Sequence, residues 1–426
     1  FDLFRVNPPL VRTLAAIPVV FASPTLNWAY YDPNPLERRE VFVEHDFFRA
    51  NVEKAPTFIA VARCMCVPVS LIGGIVCYWW ASRLYGILPG LVALSMWCFS
   101  PSILGHASLI TPDAHAAAVG FVACYSFWRW LREPRWLQAF VAGMLLGLAE
   151  LCKFTLLVYY PVWMLLWLFY YLPYVGNMSW PDRIRHCSMF AAIIVISLYV
   201  INVGYLFEGS FKQLGDYRFQ TRLFNGVSTL GDVSVNYGNR FHDSWLGHLP
   251  VPLPKNYVQG IDTQRLDFER GLPSYLRGDW ADHGWWYYYV YALAIKIPLG
   301  TWLLVALALG MTAKDVCQKH NGTSSAPWSK EEGNVSSVSW RDEAVVLVPG
   351  LAILIFVSSQ TGFSVHSRYI LPALPFLFVW TSKAARVLVM HPFTRKRLVV
   401  TTVALLAIAW SVGSSLAIYP HSLSYF

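Results

Sequence analysis

The sequence predicts an all-α polytopic membrane protein, and three observations lead to that fold class. Hydrophobic residues make up 56% of the 426 residues and charged residues only 14%, whereas about a quarter of a typical soluble domain is charged. Apolar runs of roughly 17–25 residues recur along the chain, and each can cross the hydrocarbon core of a bilayer. Basic residues gather in alternate loops between these runs, as the positive-inside rule expects.

The apolar runs predict about ten transmembrane helices. They lie at 58–80, 87–104, 114–131, 139–152, 155–172, 188–206, 285–311, 344–359, 369–381 and 398–417. The runs at 139–152, 155–172 and 369–381 are short or poorly bounded, which leaves tilted pairs and re-entrant segments open as alternatives.

The loops divide the chain into four parts. We expect an external loop at 1–57, a first transmembrane bundle at 58–206, an external cap at 207–284 and a second bundle at 285–426 with a cytoplasmic linker at 312–342. The basic loops around Arg83, Arg129, Arg183 and Lys383 define the cytoplasmic side. Phe1 is not a start residue, so we interpret the chain as a fragment whose first external loop is truncated at its start.

Composition also limits the expected partners. The net charge of +8 is spread over loops rather than gathered on one soluble domain, so we expect no nucleic-acid partner. The two large external loops contain no cysteine, which argues against a disulfide framework and against thiolate metal sites. The histidines lack ligand spacing on any one helix, although a divalent metal held by residues from distant loops stays open.

Asp113 is the only acidic residue between Glu53 and Glu133, in the stretch "SLITPDAHAAAVG". Thr111 and Pro112 before it are typical of a helix N-terminus, with Thr111 at the capping position. Asp113 can therefore simply complement the helix dipole, which is worth about 0.3–1 kcal/mol. Alternatively, it is a site carboxylate that receives a substrate hydroxyl or orients a partner group.

Three cations near the membrane boundary are candidates for binding an anion. Lys153 lies at the turn of a tight helical hairpin. It is either a lysine that snorkels to the membrane boundary or a contact for an anionic headgroup. Arg368 lies in a short external turn, where it can bind phosphate in a bidentate way. Lys296 lies ten residues beyond Trp286, about 15 Å further along a helix, so we expect it to line an internal cleft.

Several motifs occur in an order that is informative as a set. They are "RVNPPL", "FIAVARCMCVPVSLIGGIVCYWWASRLYG", "FSPSILGHASLITPDAHAAA", "GLAELCKFTLLVYYP", "HSRYILPALPF" and "GDWADHGWWYYYVYALAIKIPLG". Over most of its length the chain resembles membrane glycosyltransferases of the C-fold. It is similar to the polyprenyl- or dolichyl-phosphate-mannose-dependent protein mannosyltransferases of glycosyltransferase family 39 and to bacterial aminoarabinose transferases.

This resemblance implies the transfer of a sugar from a polyprenyl-phosphate-linked donor to an acceptor hydroxyl on the external face, with inversion. The acceptor is a protein, a lipid or a glycan, and the lipid-linked sugar is a donor substrate rather than a bound cofactor. Asp113 matches the family's supporting carboxylate, whereas the principal Asp-Glu pair is expected upstream of Phe1. Glu44 and Asp46 do not match that pair and rank behind it as substitutes.

The resemblance also assigns roles to other residues. The expected lipid-phosphate contacts are Arg63, Lys153 and Arg368, followed by Lys296. The expected sugar or acceptor contacts are Asn7, His106, Trp285, His366 and Tyr369. Such an enzyme would act in cell-envelope or protein glycosylation, on the periplasmic side of a bacterial inner membrane. Two alternatives stay open, a polytopic transporter or flippase and an inactive truncated homologue.

Overall fold

The computed structural model describes residue 4 and residues 6–28, 39–226, 238–320, 338–388 and 395–425. Within these ranges the fold is almost entirely helical. The α-helices are α1 (Leu10–Phe21), α2 (Arg39–Ala50), α3 (Ala55–Tyr85), α4 (Ile87–Cys98), α5 (Pro101–Ala107), α6 (Pro112–Arg132), α7 (Trp136–Glu150), α8 (Tyr159–Val175), α9 (Trp180–Gly204), α10 (Arg222–Asn225), α11 (Lys255–Arg270), α12 (Tyr288–Lys296), α13 (Leu299–His320), α14 (Trp340–Ser359), α15 (Leu374–Thr381) and α16 (Arg395–Ile418). The strands β1 (Ser274–Leu276) and β2 (Asp279–Ala281) pair as one antiparallel hairpin.

Six helices in the described part of the chain are long and apolar enough to cross a membrane. They are Ala55–Tyr85, Phe154–Val175, Trp180–Gly204, Leu299–Cys317, Trp340–Ser359 and Leu398–Ile418. A seventh span results if α4 and α5, which are bent by 58° relative to each other, are counted as one. The predicted all-α polytopic membrane fold is therefore confirmed at this level.

The predicted number of about ten spans is wrong. The run at 285–311 still supplies one span, which begins at Leu299 because the chain breaks at Pro298 between the nine-residue α12 and the longer α13. The run at 369–381 begins as a 3₁₀ helix at Ser367–Ala373, and the run at 139–152 gives a helix of only 15 residues. The run at 114–131 belongs to α6, which carries Asp113 and two arginines.

The segments expected outside the membrane contain regular structure of their own. The range 1–57 contains α1 and α2, and the range 207–284 contains α11 and the hairpin. The hairpin turns through Arg277 and Gly278, both at positive φ (58° and 100°), which matches the right-handed twist of paired strands. Of the expected linker, α13 continues to His320 and α14 begins at Trp340, while 321–337 lie outside the described residues.

An aromatic core packs α3, α6 and α15 against one another. The Phe121 ring lies 5.1 Å from the Trp80 ring and 5.1 Å from the Phe376 ring, and the latter pair is edge-to-face. All three side chains are buried. Such pairs contribute about 0.5–1.5 kcal/mol each beyond the burial of their area. This core fixes α6 relative to the chain segment that precedes α15.

Lys383, which the sequence analysis places in a cytoplasmic loop, is buried instead. Its side chain is 2% exposed, and Nζ lies 3.0 Å from Oε1 of Glu343 at the start of α14. Nearby, Trp128 Nε1 donates a 2.7 Å hydrogen bond to Asp342. A buried, paired cation has a role in packing. Lys383 therefore supports the assignment of its segment to the cytoplasmic side less strongly than an exposed loop lysine would.

Helices α7 and α9 pack against each other through glycine. A Cβ added at Gly147 would lie 2.5 Å from Val200 Cβ and 2.7 Å from Ser197 O. At Gly143, one turn earlier, it would lie 2.8 Å from Ile193 O. Small residues four apart let two membrane helices approach at backbone distance, so this pair positions the C-terminal end of α7.

We predict that Gly147→Ala destabilises the protein, because overpacking of this kind costs about 1–3 kcal/mol. The measurement is thermal unfolding of the purified chain in detergent. Gly413→Ala on α16 is the matched control, since a Cβ there meets nothing within 4 Å. Equal melting temperatures for the two variants would contradict the proposed close approach of α7 and α9.

Candidate functional site

Asp113 lies in the first turn of α6, which begins at Pro112 as the sequence predicts. Thr111 has the extended backbone of a capping residue (φ −77°, ψ 145°), but its hydroxyl makes no capping hydrogen bond and is buried without a partner. His115 Nδ1 instead lies 2.9 Å from Thr111 O. The helix start is therefore held by its proline and its histidine rather than by a threonine cap.

Two cations neutralise the buried carboxylate of Asp113, which is 1% exposed. Lys153 Nζ donates a 2.5 Å hydrogen bond to Oδ1. Arg368 Nε lies 3.2 Å from Oδ2, in an ion pair that lacks hydrogen-bond geometry. Each carboxylate oxygen is therefore next to one cation. We call these three residues the charge cluster.

Local backbone geometry brings the two cations to α6. Lys153 is extended (φ −161°, ψ 134°) in the turn between α7 and the 3₁₀ helix Phe154–Val158. That turn is held by Leu10 N, which donates to Leu151 O at 3.1 Å. Arg368 lies in the 3₁₀ helix that follows α14, and this 3₁₀ helix packs on α6. Three segments distant in sequence thus meet at one end of the bundle.

Aromatic and imidazole groups complete the surroundings of the cluster. Lys153 Nζ lies 4.3 Å from the centroid of the Tyr369 ring, a favourable cation–π position. The His366 ring lies edge-on to Tyr369 with centroids 5.8 Å apart. Burial, and then the adjacent Arg368 cation, lower the pKa of His366. His366 is therefore neutral at pH 7 and can both donate and accept hydrogen bonds.

Two cavities adjoin the charge cluster. The smaller, about 30 Å³, is lined by Arg368, His106 and Lys296 among others. Lys296 Nζ donates to Tyr425 O at 3.3 Å. The cluster itself carries two cations and one anion. This end of the molecule therefore favours an anion.

The larger cavity, about 430 Å³, has a polar end and an apolar body. Lys153 and Tyr369 line the polar end together with Gln264, Arg265 and Gln360. The body runs between α8 and α14, both long enough to span a membrane, and is lined by Leu157, Val158, Pro161, Phe356 and Val357. We call it the amphipathic cavity, because its shape and lining suit a polar head joined to an apolar chain.

The cap is hydrogen-bonded to the chain segment that carries Arg368. Gly284 N donates to Thr361 O (2.8 Å), and Trp285 N donates to Ser364 Oγ (3.1 Å). Ser364 N in turn donates to Ser274 Oγ on β1 (2.8 Å). Trp285, a predicted sugar contact, is half-buried and here anchors this segment through its backbone. The cap and the 361–364 segment thus form one hydrogen-bonded unit.

Some predicted site residues lie outside the cluster. The side chains of Arg63 and Glu44 are exposed, Asp46 is buried on α2, and Asn7 is half-buried. None of the four has a hydrogen bond or ion pair to the charge cluster among the described contacts. Of the predicted residues, the structure brings together Asp113, Lys153, Arg368, Tyr369, His366, His106 and Lys296.

The sequence analysis missed the polar residues that the cap contributes. Arg265 Nη1 donates to Gln360 Oε1 at 2.9 Å, and Gln264 Nε2 donates to Val6 O at 2.7 Å. Both side chains belong to α11, whose charged, amphipathic sequence predicts only a solvent-facing helix. Their position on the cavity wall depends on tertiary packing, which no motif in the sequence signals.

Comparison with protein-family models, curated proteins and solved structures finds no match to this chain. Within the described ranges, no group of three or more His, Cys, Asp or Glu side chains has an arrangement that could hold a metal ion. The chemistry of the site therefore has to be argued from the charge cluster and the amphipathic cavity themselves.

We predict that Asp113→Ala markedly destabilises the protein, because it leaves the buried Lys153 without its ion-pair partner and removes the partner of the half-buried Arg368. Removing one partner of a buried pair costs about 3–5 kcal/mol. The control is Glu133→Ala, which removes an ion pair to Arg135 whose side chains are 73% and 57% exposed. Such surface pairs contribute about 0–1 kcal/mol. Thermal unfolding of both variants should therefore show a clearly larger loss for Asp113→Ala, and equal losses would refute the buried network.

Proposed function

We propose that this protein transfers a sugar from a polyprenyl-phosphate donor to an acceptor hydroxyl at the external face of the membrane, with inversion. The oxygen of the hydroxyl attacks the anomeric carbon, the bond from that carbon to the phosphate oxygen breaks, and polyprenyl phosphate leaves. A carboxylate base takes the hydroxyl proton. The resemblance to C-fold glycosyltransferases motivates the proposal.

One observation carries it, namely that Lys153 lines the polar end of the amphipathic cavity and shares the Asp113 carboxylate with Arg368, which lines the adjoining smaller cavity. A polyprenyl phosphate needs a cationic site for its head and a membrane-level apolar groove for its chain. Lys153 lines that polar end, and the groove follows two helices that can span a membrane. The cluster carries one net positive charge, which a phosphate would balance.

The geometry supports distinct roles for the three charged residues. Lys153 and Arg368 stabilise the negative charge that develops on the leaving phosphate. Asp113 positions both cations, because each of its oxygens is already next to one of them. A carboxylate so placed is a poor proton acceptor, so Asp113 acts as the supporting carboxylate and another residue is the base.

The external cap contributes the wall that faces the acceptor. Gln264 and Arg265 on α11, together with Gln360 at the end of α14, offer amide and guanidinium groups beside the polar end of the cavity. Groups of this kind bind sugar hydroxyls in many proteins because they supply directed donors and acceptors. His106, His366 and Tyr369 adjoin the charge cluster, and we assign them to the sugar or acceptor.

The test is a transfer assay with the full chain in proteoliposomes and a panel of radiolabelled polyprenyl-phosphate hexoses. We expect Arg368→Gln and Lys153→Gln each to lower kcat/KM by about 10²–10³, the typical effect of losing a donor that stabilises developing charge. Arg368→Lys should recover only part of the activity, because a lysine is a point charge without the guanidinium fork.

Arg270→Gln serves as the matched control, since Arg270 is an exposed arginine at the end of α11 and its loss should leave kcat/KM unchanged. The proposal fails if the cluster variants retain wild-type activity. It also fails if the labelled donor crosses the bilayer intact with no release of polyprenyl phosphate, which would identify a transporter.

A further inference from the structure

A third cavity lies at the other end of the helix bundle, away from the charge cluster and from the two cavities beside it. It encloses about 350 Å³ between the C-terminal ends of α6 and α8 and the N-terminal part of α9. Its wall is largely aromatic and includes Trp130, Trp167, Tyr170 and Tyr171. We call it the aromatic cavity. Neither the proposed transfer reaction nor the sequence motifs involve it.

The charged lining of the aromatic cavity is cationic. Arg132 supplies the positive charge, His186 adds an imidazole, and no carboxylate is among the lining residues. The guanidinium of Arg132 lies over the Trp128 ring at 5.3 Å, and its side chain is exposed without an ion pair in the described structure. The His186 ring packs against Tyr171 at 4.9 Å. Arginine combined with aromatic rings suits an oxyanion attached to an apolar body.

Further hydrogen-bond donors in the wall have no protein partner. Trp130 Nε1, Trp167 Nε1 and the Tyr171 hydroxyl are each buried, and none is hydrogen-bonded among the described residues. The Tyr170 hydroxyl is already used, since it donates to Asp342 at 3.4 Å. These three atoms are buried away from the open cavity as well, so the chemistry that a ligand meets there is that of Arg132 and the aromatic rings.

The position of the cavity indicates where such a ligand comes from. Two adjacent spans, Phe154–Val175 and Trp180–Gly204, meet beside it at a four-residue connection. Side chains at the junction of two spans lie at the level of the lipid headgroups. Basic pockets between transmembrane helices at this level are typical binding sites for anionic lipid headgroups.

We propose that the aromatic cavity binds the phosphate of an anionic phospholipid. Arg132 and His186 hold the phosphate oxygens, and the stacked rings of Trp167 and Tyr171, 5.3 Å apart, pack against the glycerol and the first acyl carbons. The site does not depend on the proposed transfer reaction. A lipid phosphate and a soluble phosphate share the same chemistry, so the experiment separates these two sources.

The test counts bound lipids by native mass spectrometry on the full chain in mild detergent. The chain is titrated with phosphatidylglycerol or with phosphatidylcholine of the same acyl chains. We expect tighter binding of phosphatidylglycerol and a loss of about fivefold in its affinity in Arg132→Gln, the effect of one cation near a headgroup. His186→Gln, on a different helix, should lower the affinity independently.

Arg135→Gln is the matched control, because Arg135 is exposed and paired with Glu133; its lipid affinity should equal that of the wild type. The titration is repeated in Lys153→Gln, which removes a cation at the opposite end and should preserve the effect of Arg132→Gln. Equal affinities for both lipids, or no effect of Arg132→Gln and His186→Gln, overturns the proposal. Displacement of the lipid by millimolar inorganic phosphate overturns the lipid source and indicates a soluble anion.

Discussion

The structure around the candidate site depends on one constraint, the burial of the Asp113 carboxylate. A lone carboxylate in an apolar interior is too costly to keep ionised, so it requires a cation within contact distance. Here two cations meet it, one from the α7–α8 turn and one from the segment before α15. The glycine-mediated approach of α7 to α9 and the aromatic core around Phe121 place those segments. The contacts that hold these distant helices together therefore also balance the charge of the Asp113 carboxylate.

Much of this fold follows from local sequence, and the parts that do not have identifiable causes. Apolar runs locate the helices, and Pro112 marks the start of α6, because both signals act within one or two turns. The number of spans was overestimated because a window of hydrophobicity does not register that α7 has only 15 residues, that the run at 369–381 begins as a 3₁₀ helix, or that α4 and α5 are bent by 58° relative to each other. Lys383 is a related case, since a loop lysine and a buried, paired lysine look the same in the sequence until Glu343 is placed beside it.

The candidate site likewise contains residues that the sequence identifies and residues that only the tertiary packing reveals. Asp113, Lys153 and Arg368 are identifiable in the sequence as isolated charges in apolar surroundings, and the structure brings them within contact distance. Arg265 and Gln360 are not identifiable, because their importance arises only when α11 packs across the end of α14. Arg63 shows the reverse case. It stands out in the sequence as a charge in a long apolar helix, yet its side chain is exposed on α3 and does not reach the cluster.

The hydrogen bonds between the cap and the 361–364 segment have a mechanical consequence. Arg368 follows that segment after three residues, so the hydrogen bonds of the cap and the ion pair of Arg368 with Asp113 lie on one short stretch of chain. A movement of Arg368 away from Asp113 would raise the electrostatic free energy of the buried carboxylate. An anion that drew Arg368 toward itself would therefore act on the same stretch of chain that holds the cap.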